Sequence, residues 1–149
     1  LLEHGAEMEY TRKLGLLRTP LQRASENGNL DIVRYLVDKG AQIDTPPVRS
    51  GATALQLAAL KGHVDIVAYL ISKGANVNYP PAQGDGRTAF EAAAEWGRFD
   101  TMSLLMKHYV DLDQEFGDPP RSQYERARSF AEKNGQMASK RFVEDLRKK

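Results

Sequence analysis

The sequence predicts an all-α solenoid of stacked antiparallel helix pairs with projecting loops and short β-hairpins. Three observations carry that reading. The stretch from Thr19 to Gly28 recurs as Thr53 to Gly62 and as Thr88 to Gly97, with the leading threonines 34 and 35 residues apart. The apolar stretch from Asp31 to Ala41 recurs as Asp65 to Ala75 and, more loosely, as Asp100 to Val110. Polar segments rich in Pro and Gly fall at the same point of each period. A fixed period of this length marks one supersecondary unit stacked on copies of itself. Such an array offers a long surface and no deep pocket, which favours binding over catalysis.

The chain opens with Leu1-Leu2-Glu3-His4-Gly5-Ala6, which matches the tail of a unit, Leu70 to Ala75. Residues 1–18 therefore read as a partial repeat and loop, and the chain is expected to be a fragment of a longer protein. Full repeats are expected at 19–52, 53–87 and 88–117. In the central one, Thr53 is a good helix N-cap, because its hydroxyl accepts from an N–H that the first turn leaves without a partner. Leu55, Ala58 and Ala59 fall at i, i+3 and i+4 and form a short apolar stripe. The alanines combine helix propensity with a small size that lets a neighbouring helix approach. Gly62 supplies the left-handed residue that ends the first helix. Val64 to Ser72 forms the second helix, with Val67, Leu70 and Ile71 on one face, and Gly74 ends it in the same way. Two helices of roughly two turns each are too short to stand alone in water, so each pair must bury a face against the next.

The connecting segments are Asp44 to Ala52 and Asn78 to Arg87. Their recurrence in register makes them built-in projecting loops, with proline restricting any ribbon pairing to short segments. Beyond Asp113 the pattern decays. Tyr124 to Asn134 and Gln136 to Arg147 read as two further helices around Gly135, with Phe130, Ala131, Met137, Phe142, Val143 and Leu146 as apolar positions. Residues 118–149 are read as a degenerate C-terminal helical cap that covers the core with a polar outer face.

These motifs resemble the ankyrin repeat, whose pattern runs Thr-Pro-Leu-His-x-Ala-Ala-x-x-Gly-His, an apolar helix, then Gly-Ala-x-Val-Asn. The resemblance covers roughly residues 1 to 113 and implies an ankyrin-repeat solenoid. The loops with Pro-Pro and Gly-Arg-Thr-Ala are similar to those of ankyrin arrays in large fungal proteins. The sequence departs from the pattern where Gln22, Gln56 and Glu91 replace the family histidine. Those side chains can still accept or donate a local hydrogen bond. Tyr109 replaces the glycine that ends the third second-helix, at a cost on the order of 1 kcal/mol if the left-handed conformation is kept.

The 149 residues carry 21 basic and 20 acidic side chains, so no global field draws the chain to nucleic acid or anionic lipid. There is no cysteine, which excludes disulfides and thiolate metal sites. No apolar run approaches the ~20 residues that span a bilayer. The expected setting is intracellular, in the cytoplasm, as a monomer.

Catalytic constellations do not emerge. His63 sits at the family's Gly-His position, where the ring supports a turn. His4 and His108 lie at helix ends, with no metal-ligand spacing to a second histidine. Asp31, Asp65 and Asp100 recur near the start of each second helix, where a negative charge favours the helix dipole. No phosphate loop and no nucleophile elbow is present. Lys140, Arg141, Arg147, Lys148 and Lys149 make the end of the chain basic, but Glu144 and Asp145 interrupt them and no aromatics are interleaved.

The surface remains. The resemblance implies recognition through the concave side, built from loop tips and the ends of the first helices. The two residues before each first-helix glycine, Glu26-Asn27, Leu60-Lys61 and Glu95-Trp96, fall outside the core stripe. Trp96 stands where other copies carry Asn27 and Lys61; it is either a binding anchor or a lid folded over Phe99 or the cap. Arg49, Tyr79 and Arg87 supply a rim on the loops, which Pro46, Pro47, Pro80 and Pro81 stiffen. The expected function is binding of a protein partner through this face, without catalysis, cofactor or metal, and without nucleic acid or membrane. The rival readings are a structural spacer within a long array, and nucleic-acid or anion binding through the basic cap.

Overall fold

The computed structural model describes residues 18–45 and 51–148. Those residues form eight helices in antiparallel pairs. They are α1 (Pro20–Asn27) with α2 (Leu30–Asp38), α3 (Ala54–Lys61) with α4 (Val64–Ser72), α5 (Ala89–Glu95) with α6 (Phe99–Lys107), and α7 (Gln123–Lys133) with α8 (Met137–Asp145). The leading Leu1–Ala6 segment, Arg49, Pro46 and Pro47 lie outside the described residues.

Each first helix starts by the same local chemistry. The Thr19, Thr53 and Thr88 hydroxyls accept from the backbone N–H of Gln22, Gln56 and Glu91 at 3.1, 3.2 and 3.1 Å. The side chains of those three residues accept in return from the threonine N–H at 2.9, 3.0 and 3.0 Å. The departures from the family histidine thus complete three reciprocal capping boxes. Gly28, Gly62 and Gly97 close these helices with positive φ. Tyr109 keeps the left-handed conformation at φ 69°. Its side chain is 86% exposed, and Asn78 Nδ2 donates to its carbonyl at 3.1 Å.

Packing follows from residue size. α1, α3, α5 and α7 lie side by side as one layer, with Ala54, Ala58, Ala59, Ala89, Ala93, Ala94, Ala127 and Ala131 at or near full burial. The second helices, α2, α4 and α6, touch one another more sparsely. Close spacing in one layer and wide spacing in the other curves the array toward the first helices, whose exposed side is therefore concave. The second helices anchor through Val33 and Leu36, through Ile66, Val67 and Leu70, and through Met102 and Leu105, all within 1% of complete burial. The buried arc of α4 is centred one residue earlier than its sequence pattern suggests: Ile66 is fully buried, and Ile71 lies half-buried at the edge. In the last pair Val143 and Ala131 are buried, while Met137 is 44% exposed.

Neighbouring loops are joined by side chain to backbone. Asp44 Oδ2 accepts from the Asn76 N–H at 3.0 Å, and one period later Asn78 Oδ1 accepts from the Asp111 N–H at 2.8 Å. Among the described residues the one ladder is short and lies within a single loop: β1 (Glu115–Phe116) runs antiparallel to β2 (Arg121–Ser122). No helix among them is long and apolar enough to cross a membrane.

Candidate recognition surface

The turn that ends each first helix carries a carbonyl that its own helix leaves open. The next unit supplies the donor. His63 Nε2 meets the Glu26 carbonyl at 3.1 Å, Arg98 Nε donates to the Leu60 carbonyl at 3.1 Å, and Asn134 Nδ2 donates to the Glu95 carbonyl at 2.8 Å. His63 is therefore a structural clasp between units. The acids expected at the second-helix starts, Asp31, Asp65 and Asp100, all stand in first turns.

On the concave side, an ion pair begins at the residue before Thr19 and again at the residue before Thr88. Arg18 Nε and Nη2 donate to the Glu26 carboxylate at 2.9 and 3.3 Å. Arg87 does the same with Glu95 at 3.0 and 3.2 Å. In both the partners are eight residues apart and half-buried. The Arg18 hydrogen bond holds the Glu26 carboxyl below its ordinary 4.5, with partial burial opposing. Arg87 is fixed further: Nη1 donates to the Asp85 carbonyl at 2.8 Å, and the guanidinium lies 3.7 Å from the centre of the Phe130 ring. At the corresponding positions the central unit has Ala52 and Leu60. Between the two ion pairs this leaves a cleft of about 210 Å³ with Ala52, Leu57, Leu60 and Ala92 among its walls.

The structure brings Leu60, Glu95 and Arg87 together at this cleft. It does not bring the remaining predicted residues to it. Asn27, Lys61 and Trp96 are exposed and occupy equivalent positions one repeat apart, so they form a row beside the cleft. Trp96 caps the end of α5 and is 46% exposed. The Phe99 ring meets Phe142 edge-on at 5.9 Å. Tyr79 is half-buried, and its carbonyl accepts from Gln56 Nε2 at 3.1 Å. Arg49 lies outside the described residues.

The junction before the last helix pair holds polar residues that periodicity alone does not reveal. Glu91 is fully buried, and Arg126 grips it with Nε at 2.7 Å and Nη2 at 3.1 Å. Thr88 Oγ1 bonds Gln123 Oε1 at 2.6 Å, and Gln123 Nε2 reaches the Asp111 carbonyl at 2.7 Å. The only prior signal was a glutamate at a position where the other copies carry glutamine. Among the basic residues of the cap, Lys140 pairs with Glu132, Arg147 with Asp113, Lys148 with Asp145 and Arg128 with Glu144, while Arg141 is exposed and Lys149 lies outside the described residues.

The family model described as Ankyrin repeats (3 copies) matches residues 1–81 and 47–116. Ankyrin repeat and KH domain-containing protein 1 of Homo sapiens is 44% identical over 50 residues, 34% of this chain. The chain spans about 2% of that relative's length. The repeated capping boxes, the left-handed glycines and the alanine-packed inner layer agree with the family match over more than half the chain: this protein belongs to the ankyrin-repeat family.

Proposed function

We propose that the chain is a protein–protein recognition module that docks its partner across the concave layer of α1, α3, α5 and α7. One observation carries the reading: the row Asn27, Lys61 and Trp96 is exposed on that layer, and the core beneath it is closed without those side chains. A half-exposed tryptophan on a rigid helix end is a suitable anchor, since it buries a large area at little entropic cost. The reading assigns binding and no catalysis. Neutralisation of the terminal basic residues by Glu132, Asp113 and Asp145 weighs against the nucleic-acid alternative.

The test is affinity capture from an extract with wild type and with Lys61→Glu/Trp96→Ala, both checked for folding by circular dichroism. These positions are preferred to Arg87, whose ion pair and ring stacking make it structural. Loss of a captured protein with the variant supports the concave row. Equal recovery of that protein rejects it.

A further inference from the structure

The concave cleft repeats a pattern and breaks it once. Units on either side carry Arg18–Glu26 and Arg87–Glu95; the central unit carries Ala52 and Leu60. In each ion pair two donors already satisfy two acceptors, so neither guanidinium is held open for a ligand anion. What the break leaves is an open notch of about 210 Å³, with Ala52, Leu57, Leu60 and Ala92 as its apolar walls and Gln56, Arg18, Arg87 and Glu95 around them. That volume fits one bulky side chain and no drug-sized ligand. The described lining adds one acidic residue beyond the balanced pairs, the exposed Asp85.

We propose that the notch between the Arg18–Glu26 and Arg87–Glu95 ion pairs seats a single large apolar side chain of a partner protein, next to a basic residue that faces Asp85. The proposal rests on the concave-face reading and gives it a chemical specificity. Apolar walls select the side chain by burial. The excess carboxylate selects the neighbouring charge by complementarity.

The chain itself supplies the control. Ala52→Arg/Leu60→Glu copies into the central unit the residues that its neighbours carry at the same positions, and so fills the notch with a third ion pair. Leu60→Ala is a milder second variant that removes one apolar wall of the notch. The probes are capped hexapeptides, Ala-Ala-Leu-Arg-Ala-Ala and its Leu→Ala and Arg→Glu versions, titrated against methyl-labelled protein by NMR.

The expected result is saturable movement of the Ala52, Leu57 and Leu60 methyls with the first peptide. Affinity should be at least about tenfold weaker for the Leu→Ala peptide. It should be several-fold weaker for the Arg→Glu peptide, and that second difference should shrink with added salt. Both protein variants should lose the response while keeping the wild-type helical spectrum. Equal affinity for all three peptides, no saturable shift, or an unchanged response in Ala52→Arg/Leu60→Glu overturns the proposal. So do concentration-dependent shifts without peptide, which would put a second copy of the chain in the notch. Peptide shifts confined to the backbone amides of Lys61 and Trp96, followed in parallel on nitrogen-labelled protein, would reject the notch and leave concave-face recognition standing. Failure of the wider reading is seen separately, in undiminished capture by Lys61→Glu/Trp96→Ala.

Discussion

The Asp44 carboxylate accepts the Asn76 N–H while partly withdrawn from water, and that burial pushes its pKa above the ordinary 3.8 against the smaller pull of the hydrogen bond. The native state therefore holds this proton more tightly than the unfolded chain. Stability attributable to Asp44 rises as pH falls through the native pKa and levels off below 3.8. Asn78 occupies the equivalent place one period on and makes the same bond without a charge. Asp44→Asn should raise the melting temperature slightly at pH 7, within about 0.5 kcal/mol, and the gain should vanish below pH 3.8. Glu26 has the opposite sign. Its pKa is lowered chiefly by the Arg18 hydrogen bond, so its contribution is present above 4.5 and lost as pH falls through the native value. Glu26→Gln should cost stability at pH 7 and converge with wild type in acid. The buried pair is more demanding. Arg126→Ala strands a carboxylate of zero exposure and should cost about 3–5 kcal/mol by chemical denaturation. Adding Glu91→Gln, the residue type that Gln22 and Gln56 already show works at this position, should recover much of the loss. No recovery in the double variant would mean that Arg126 acts through packing on Phe130, whose ring centre lies 5.2 Å from its guanidinium, and not through the charge.

At the scale of the element, glycines of one conformation differ in what stands above them. Gly62 has φ 76°, and a Cβ there would lie 2.8 Å from Arg98 Cδ, the side chain that closes the turn; Gly74 has φ 98° and nothing within 4 Å. Gly74→Ala should cost only left-handed strain, about 1–2 kcal/mol. Gly62→Ala should cost more, because it also displaces the Arg98 clasp. Urea midpoints for the two variants would test this ordering, and equal shifts would remove the clasp from the energetics. The same contrast explains what was legible in the sequence. Thr53 and Gly62 act within their own helix, so spacing alone places cap and stop. α4 emerges with the expected bounds, Val64–Ser72, for the same reason. The Arg98 clasp, the Glu91–Arg126 pair and the Arg87–Phe130 stack each span two units, and a repeat pattern says nothing about which residues at non-repeating positions will meet. The notch was half visible: Leu60 stood out as apolar, but its meaning depends on Arg18 and Arg87 being tied to Glu26 and Glu95 on either side.

Across the whole molecule the three junctions are not built alike. Those between the first three units are dominated by alanine and leucine, each with one clasp, from His63 or Arg98, and one loop bond, Asp44–Asn76 or Asn78–Asp111. The junction to α7 and α8 adds the Glu91–Arg126 pair, the Thr88–Gln123 bond and Ser139 Oγ donating to the Ala94 carbonyl at 2.6 Å. In a stacked array stability is a sum of unit and nearest-neighbour contributions, so damage at one junction need not spread evenly. Apolar contact tolerates small shifts of one unit on another, whereas a buried ion pair loses most of its worth when either partner moves. Arg126→Ala should therefore lower native-state hydrogen-exchange protection most in α7 and α8, less in α5 and α6, and least in α1 and α2. Glu91→Gln/Arg126→Ala should restore α5 and α6 before α7 and α8, since the glutamine relieves the stranded charge without rebuilding the bridge. Uniform loss along all eight helices would instead show that the array opens as one cooperative block and that the polar junction is no weaker a seam than the apolar ones.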